Sequence, residues 1–351
     1  MPKKYASAQK KSKRASAKAT PSVKLVEQDI PRVTSQSITQ PTSPFFSFSF
    51  RAALLLICIT LVMLFYPGNS YYTDLFAFHP KLFTTQQEHT ESYEVTSIPY
   101  IQPGTPAPFV TATAVYVIDL VSTTPLYEKN PHMKLFPAST TKVITVLTAK
   151  DAFQFDDVLN VQRVIEEGQV MDLVQGEKMT FENLLYGALV HSGNDAAYVI
   201  ADNYPEGYDA FITAMNAKAA SLGMKNSQFQ NPAGLDSSEQ YSSAYDMTLA
   251  GRELLKDKEL SKIVSTKSIT VSDVDYTRFH LLTNVNRLLG EIPGIAGLKT
   301  GKTDLAGENL ISLYKKNGRQ YLIVLLKSED RFLDTQTLVQ WLDQNVQYES
   351  L

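Results

Sequence analysis

Ser139-Thr140-Thr141-Lys142, Ser192-Gly193-Asn194 and Lys299-Thr300-Gly301 are three short motifs scattered along a 351-residue chain, and their chemistry exists only in a fold that brings them together. A serine hydroxyl is a poor nucleophile until a neighbouring base takes its proton. A lysine can be that base only where burial or nearby positive charge lowers its pKa from about 10.4. S-x-x-K alone equally suits a helix start with a solvated lysine. With the other two motifs in this order, it points to a lysine-assisted serine acyl-transfer site.

The spacing serves that chemistry. After Phe136-Pro137-Ala138 the pattern reads as a helix, so Ser139 and Lys142 stand one turn apart on one face and Lys142 can reach Ser139. The serine falls at the helix N-terminus, where free backbone N–H groups and the helix dipole favour developing negative charge. Val143, Val146 and Leu147 are expected to bury the rest of the helix and desolvate Lys142.

Further runs accompany the motifs: Leu184-Leu185-Tyr186-Gly187, Asp195-Ala196-Ala197, Met215-Asn216, Leu222-Gly223-Met224, Asn231-Pro232 with Gly234-Leu235, Asn286-Arg287-Leu288-Leu289 and Gly297-Leu298. With these, the chain from about Ala112 to Trp341 resembles the low-molecular-weight penicillin-binding proteins, the serine D-Ala-D-Ala carboxypeptidases of bacterial walls. The resemblance implies a peptidoglycan stem peptide as substrate, β-lactams as inhibitors, and no cofactor. By position it implies Ser139 as the acylated nucleophile, Lys142 as its base and Ser192 as a proton relay to the leaving amine. Lys299 would be a second cation holding the pKa of Lys142 down, and Asn194 a holder of the substrate amide. The Thr300 hydroxyl, within Lys299-Thr300-Gly301, would meet the terminal carboxylate. The backbone N–H groups of Ser139 and Lys302 would form the oxyanion hole. Arg331 matches a position where some members carry a carboxylate-binding arginine, though a solvated helix-start arginine fits it equally well.

Some positions depart from the family pattern. Ser122-Thr123-Thr124-Pro125 stands where a Thr-Gly turn is common, and Ala233 where histidine often follows Asn-Pro. Only 50 residues follow Gly301, and two strands and a helix from about Asp334 to Asn345 account for them.

Phe45 to Tyr66 is a 22-residue apolar run, interrupted by Arg51 and a few hydroxyl residues. As a helix it is roughly 33 Å long, which suits a single transmembrane span, with Arg51 able to snorkel. Residues 1–51 hold ten Lys and Arg against Glu27 and Asp29, a net of +8, while residues 67–100 hold Lys81 against Asp74, Glu88, Glu91 and Glu94. This asymmetry puts the N-terminus in the cytoplasm and the remainder outside the cell membrane. The long basic segment and the Pro67-Gly68-Asn69-Ser70 that follows the run argue for an anchor that is kept rather than cleaved. The only cysteine, Cys58, lies inside the run, so the exported part has no disulfides. We therefore divide the chain into a basic, disordered cytoplasmic tail (1–44), a membrane helix (45–66), an extracytoplasmic linker (67–108) and a catalytic domain (109–351).

The whole chain carries −3, so with +8 in residues 1–51 the remainder carries −11, and nucleic acid is an improbable partner. The five histidines are scattered and suggest no metal site. Strand-like segments near 112–119, 126–128, 266–272, 278–283, 295–301, 308–314 and 320–326 flank a helical middle near 139–153, 181–191, 195–203, 207–222 and 244–256. The expected class is α+β, an antiparallel sheet flanked by helices with a helical subdomain and the site in the cleft between them, the fold that the resemblance also implies. An endopeptidase cutting peptidoglycan crosslinks would use the same residues. An efficient β-lactamase is disfavoured because Glu166 and Glu167 precede Ser192 and the stretch after it, Asn231 to Leu235, offers no deacylating glutamate. A wall-binding scaffold without activity has no use for two lysines and a serine in one desolvated cleft.

Overall fold

A computed structural model describes residues 55–61 and 97–350. The chain divides into two units, Met1–Glu88 and His89–Leu351. In the first, residues 55–61 are helical with exposed side chains. Among the described residues no helix is long and apolar enough to cross a membrane, and the rest of the expected span, like the basic tail, lies outside them.

The second unit is built on a five-stranded antiparallel sheet. Its strands are β2 (Ala114–Asp119), β3 (Pro125–Lys129), β8 (Ile295–Thr303), β9 (Gly307–Lys316) and β10 (Arg319–Ser328), in the order β3-β2-β10-β9-β8. Side chains alternate between faces along a strand, and both faces here are covered, which is why the central strands read as unbroken apolar runs. Along β10, Leu322, Val324 and Leu326 join one core with Ala114, Tyr116 and Ile118 of β2. Tyr321, Ile323 and Leu325 join the other with Val115 and Val117.

The first core is closed by the helical middle: α1 (Lys142–Ala149), α2 (Phe181–Leu189), α3 (Asn194–Asp202), α4 (Tyr208–Ser221), α5 (Ala244–Lys256) and α6 (Lys258–Val264). All eight residues of α1 are buried, as expected of a helix without a solvent face. The second core is covered by α7 (Arg331–Asn345). Helix boundaries follow local chemistry. Thr180 caps α2 by accepting from Asn183 N, Asp330 caps α7, and Gly223 at φ +80° ends α4 in the left-handed conformation.

The expected elements are present, with ends shifted by a few residues, and three features were not anticipated. Asp257 caps a separate α6, and β4 (Val158–Asn160) pairs with β5 (Lys178–Thr180). The third changes a boundary: Ser97–Ile101, placed in the linker by its composition, is strand β1, pairing antiparallel with β11 (Val346–Ser350). The folded unit therefore begins before residue 109. The remaining hairpin, β6 (Ser268–Ser272) with β7 (Phe279–Thr283), packs beside α2.

Candidate active site

Pro137 opens a 3-10 turn, Ala138–Thr141, that runs into α1 at Lys142. Side chains three apart eclipse in a 3-10 turn, which gives the S-x-x-K spacing its reach: Lys142 Nζ lies 2.9 Å from Ser139 Oγ. Ala138 holds the left-handed φ of +48° against Gly234, also left-handed at +86°. A Cβ on Gly234 would meet Ala138 O at 1.9 Å. The loop bearing Gly234 is fastened by Asn231, whose Oδ1 accepts from Gly234 N and Leu235 N. Gly234→Ala is therefore expected to displace Ala138 and Ser139 and to slow reaction at Ser139 by about 10²-fold. Penicillin acylation kinetics alongside a melting curve check this, and a folded variant of unchanged rate would contradict it.

Ser192 joins α2 to α3 in the left-handed region, φ +64°, and this turn aims its hydroxyl at Lys299 Nζ, 2.7 Å away. Lys299 also donates to Thr300 O. Asn194, the first residue of α3, is used at both ends of its amide: Nδ2 donates to Glu167 O, so Oδ1 is turned to accept from Lys142 Nζ at 2.7 Å. The amide reserved for the substrate in the sequence reading thus already braces the lysine. On β8, a Cβ on Gly301 would stand 3.0 Å from Ser139 N, so a side chain there would crowd the serine's N–H and the turn that holds it.

The three motifs, which sequence could only order, meet around a cavity of about 510 Å³. Ser139, Ser192, Asn194, Thr300, Gly301, Lys302 and Arg331 line it. Glu167 to Gln169, Gly234 to Asp236, Val285, Thr303 and Asp304 form the rest of its wall. Ser139 is half-buried, whereas Lys142 and Lys299 are 0 % and 1 % exposed, so the hydroxyl faces the cavity with both lysines packed in the interior. Arg331 is buried rather than solvated, and its Nη1 donates to Gly301 O. Its Nε makes no hydrogen bond and lies 4.0 Å from Glu308 Oε2. The Lys302 side chain pairs with Glu308 at the surface.

Burial lowers Lys142 to about 7, opposed by the Asp195 carboxylate. Desolvation, expected from the apolar neighbours on α1, is the largest cause. Lys299 is itself held well below its ordinary value, by burial first and then by the cations of Lys142 and Arg331. Sequence reasoning missed two contributors. Ala233 O accepts from Lys142 Nζ at 2.8 Å, and Asp195 braces Met171 N and Leu173 N. Glu167, set aside because it precedes Ser192 in the chain, lies on the cavity wall.

The Lys142 contacts determine what the arrangement can do. Asn194 Oδ1 and Ala233 O can only accept, and Ser139 Oγ is the one partner that can also donate. When Lys142 loses a proton its two remaining N–H bonds satisfy the two acceptors, and its lone pair points at the serine hydroxyl. The amine is then oriented to take the Ser139 proton.

Residues 102–330, more than half of the chain, match the D-alanyl-D-alanine carboxypeptidase family. The chain is similar to D-alanyl-D-alanine carboxypeptidase DacF of Bacillus subtilis, with 35% identity over 57% of this chain and 53% of that protein. It is also similar to D-alanyl-D-alanine carboxypeptidase DacC of Escherichia coli, with 32% identity over 67% of this chain and 62% of that protein. It spans between half and two thirds of these relatives' length. Among solved structures, the Streptomyces K15 DD-transpeptidase matches 67% of this chain and 98% of its own, with a TM-score of 0.64 and 27% identity. On this match of sequence and architecture, the chain belongs to the D-alanyl-D-alanine carboxypeptidase family.

Proposed function

We propose that this protein is a serine D-Ala-D-Ala carboxypeptidase that removes the terminal D-Ala from peptidoglycan stem peptides through an acyl-enzyme on Ser139. The observation that carries the reading is the set of three contacts that leaves the lone pair of Lys142 facing Ser139 Oγ. Lys142 takes the hydroxyl proton as Oγ attacks the carbonyl carbon of the penultimate D-Ala. The N–H groups of Ser139 and Lys302 hold the oxyanion. The tetrahedral intermediate collapses with cleavage of the C–N bond, and the leaving amine takes a proton through Ser192, supplied from the lysines. Water then attacks the ester, its proton passing to Lys142, and returns the serine with the shortened peptide. The Thr300 hydroxyl and Arg331 meet the terminal carboxylate, consistent with a buried guanidinium on the cavity wall. A β-lactam follows the same path, but its leaving amine stays attached and the ester persists.

The test of substrate is to offer the full-length protein, in detergent, a stem pentapeptide and a crosslinked peptide dimer and to identify the products. Release of D-Ala from the pentapeptide supports the carboxypeptidase. Cleavage of the dimer alone would make it an endopeptidase, and no cleavage of either would refute both.

The same proposal includes the topology drawn from sequence: basic tail 1–44 in the cytoplasm, one membrane helix at 45–66, then a linker and the catalytic domain outside. It rests on the apolar run and on the +8 that precedes it. The mature protein is expected to keep its first 66 residues and to stay with membranes through a high-salt wash. A soluble product whose sequence starts near Ser70 would refute this.

A further inference from the structure

Residues 161–177 form a loop closed at its base, where Val161 N donates to Glu177 O and Gly176 N to Val161 O. Its forward part lines the cavity, and it grips Asn194 twice: Glu167 O accepts from Asn194 Nδ2 and Gln169 O from Asn194 N, both at 2.7 Å. At the surface Arg163 pairs with Asp202 through two hydrogen bonds, Gln162 Nε2 donates to Asp202 O, and Gln169 Nε2 lies 2.8 Å from His191 Nε2. Residues 162–164 and 166–169 are exposed, and Val161, Met171 and Leu173 are its buried apolar members. What holds it is polar. Asp195 accepts from Met171 N and Leu173 N, and His280 on β7 reaches across from the other side.

His280 bridges the loop's middle and its base. Nδ1 lies 2.8 Å from Met171 O and Nε2 lies 2.7 Å from Glu177 Oε1, while Glu177 Oε2 accepts from Val174 N. The pair is buried, with the Glu177 side chain at 0 % exposure and that of His280 at 10 %. Met171 O can only accept, so Nδ1 carries a proton. The contact to Glu177 then needs a second one, either on Nε2 facing a carboxylate or on the carboxyl facing a bare Nε2. Either way one shared proton closes the bridge. A glutamine in place of Glu177 would close it too, with its amide N–H donating to Nε2 and its oxygen accepting from Val174 N.

We propose that Glu177 and His280 are positioning residues that hold the 161–177 loop so that Asn194 keeps its oxygen on Lys142. The inference rests on the acyl-transfer reading of the site. Neither residue lines that cavity, and their action runs through Met171 and the loop to Glu167, Gln169 and Asn194. Losing the bridge lets the loop shift and Asn194 turn, which misdirects the Lys142 amine.

The test uses the full-length protein in detergent with a fluorescent penicillin, separating the first-order acylation rate constant from the half-saturating concentration. Glu177→Ala is expected to lower the rate constant about tenfold with little change in half-saturation, whereas Glu177→Gln stays within twofold of wild type. His280→Asn keeps a donor to Met171 O but cannot reach Glu177, and should match Glu177→Ala if that variant does not fold. Hydrogen exchange at the Met171 and Leu173 amides gives a second readout, fast in Glu177→Ala and protected in wild type and Glu177→Gln. Near wild-type acylation by folded Glu177→Ala or His280→Asn overturns the proposal, and so does Glu177→Gln being as slow as Glu177→Ala. If wild type forms no adduct, the acyl-transfer reading fails, and the exchange rates alone decide whether the bridge holds the loop.

Discussion

Lys142→Arg is expected to slow acylation of Ser139 by penicillin roughly 10³-fold or more, although it keeps a positive charge at the same place. General-base catalysis supplies about 10²–10⁴ in rate, and a guanidinium stays protonated at any working pH. The wild-type rate should depend on pH in one direction. Lys142 must be neutral to take the proton, and burial has brought it down to about 7. The rate therefore rises from acid pH through a single ionisation near 7 and levels off above it. The same shift has a sign for stability. Between about 7 and the ordinary lysine value of 10.5 the unfolded chain binds the proton that the folded chain has released, so this group's penalty on the fold is complete below 7 and shrinks as pH rises through that window. Near wild-type acylation by Lys142→Arg, together with a flat profile for wild type, would remove Lys142 from the base role.

Ser139→Ala is expected to abolish the covalent penicillin adduct altogether while leaving the fold intact. Ser139 is half-buried at the cavity and its Oγ makes one described hydrogen bond, the one to Lys142, so removing the hydroxyl takes away the nucleophile and little packing. No other hydroxyl lies against the Lys142 amine among the described contacts. Denaturing gels after incubation with labelled penicillin read this directly, with a melting curve beside them. An adduct that persists in the alanine variant would mean that the nucleophile is another residue.

The sequence carried the parts of the site that depend on short-range spacing. Ser139 and Lys142 meet because they are three apart in a tight turn, and the caps at Thr180 and Gly223 are legible because a cap is a property of a few consecutive residues. What pattern reading could not supply is what is settled by long-range closure. Strand β1 contains Pro99 and shows weak alternation, and its partner lies at the far end of the chain, so nothing local marks Ser97–Ile101 as a strand. Ala233 contributes only its backbone carbonyl, which side-chain identity does not report. Glu167 was judged by its order in the chain, but a cavity wall is assembled by position in space. The low value of Lys142 was anticipated from the apolar residues around it on α1, and burial is its largest cause.

The strand order β3-β2-β10-β9-β8 also fixes when the site can exist. An early strand, β2, lies beside β10, so a nascent chain that reaches Ser192 has Ser139, Lys142 and Ser192 but no completed sheet beneath them. Strand β8, with Lys299, is itself held by β9, and β9 by β10. The ribosome must therefore pass Ser328 before the two halves can close, and pairings this distant make for slow, late assembly. Until then the first core has its helices but not the face of β10, with Leu322, Val324 and Leu326, that completes it, so the site's two lysines are held apart until the last strands are made.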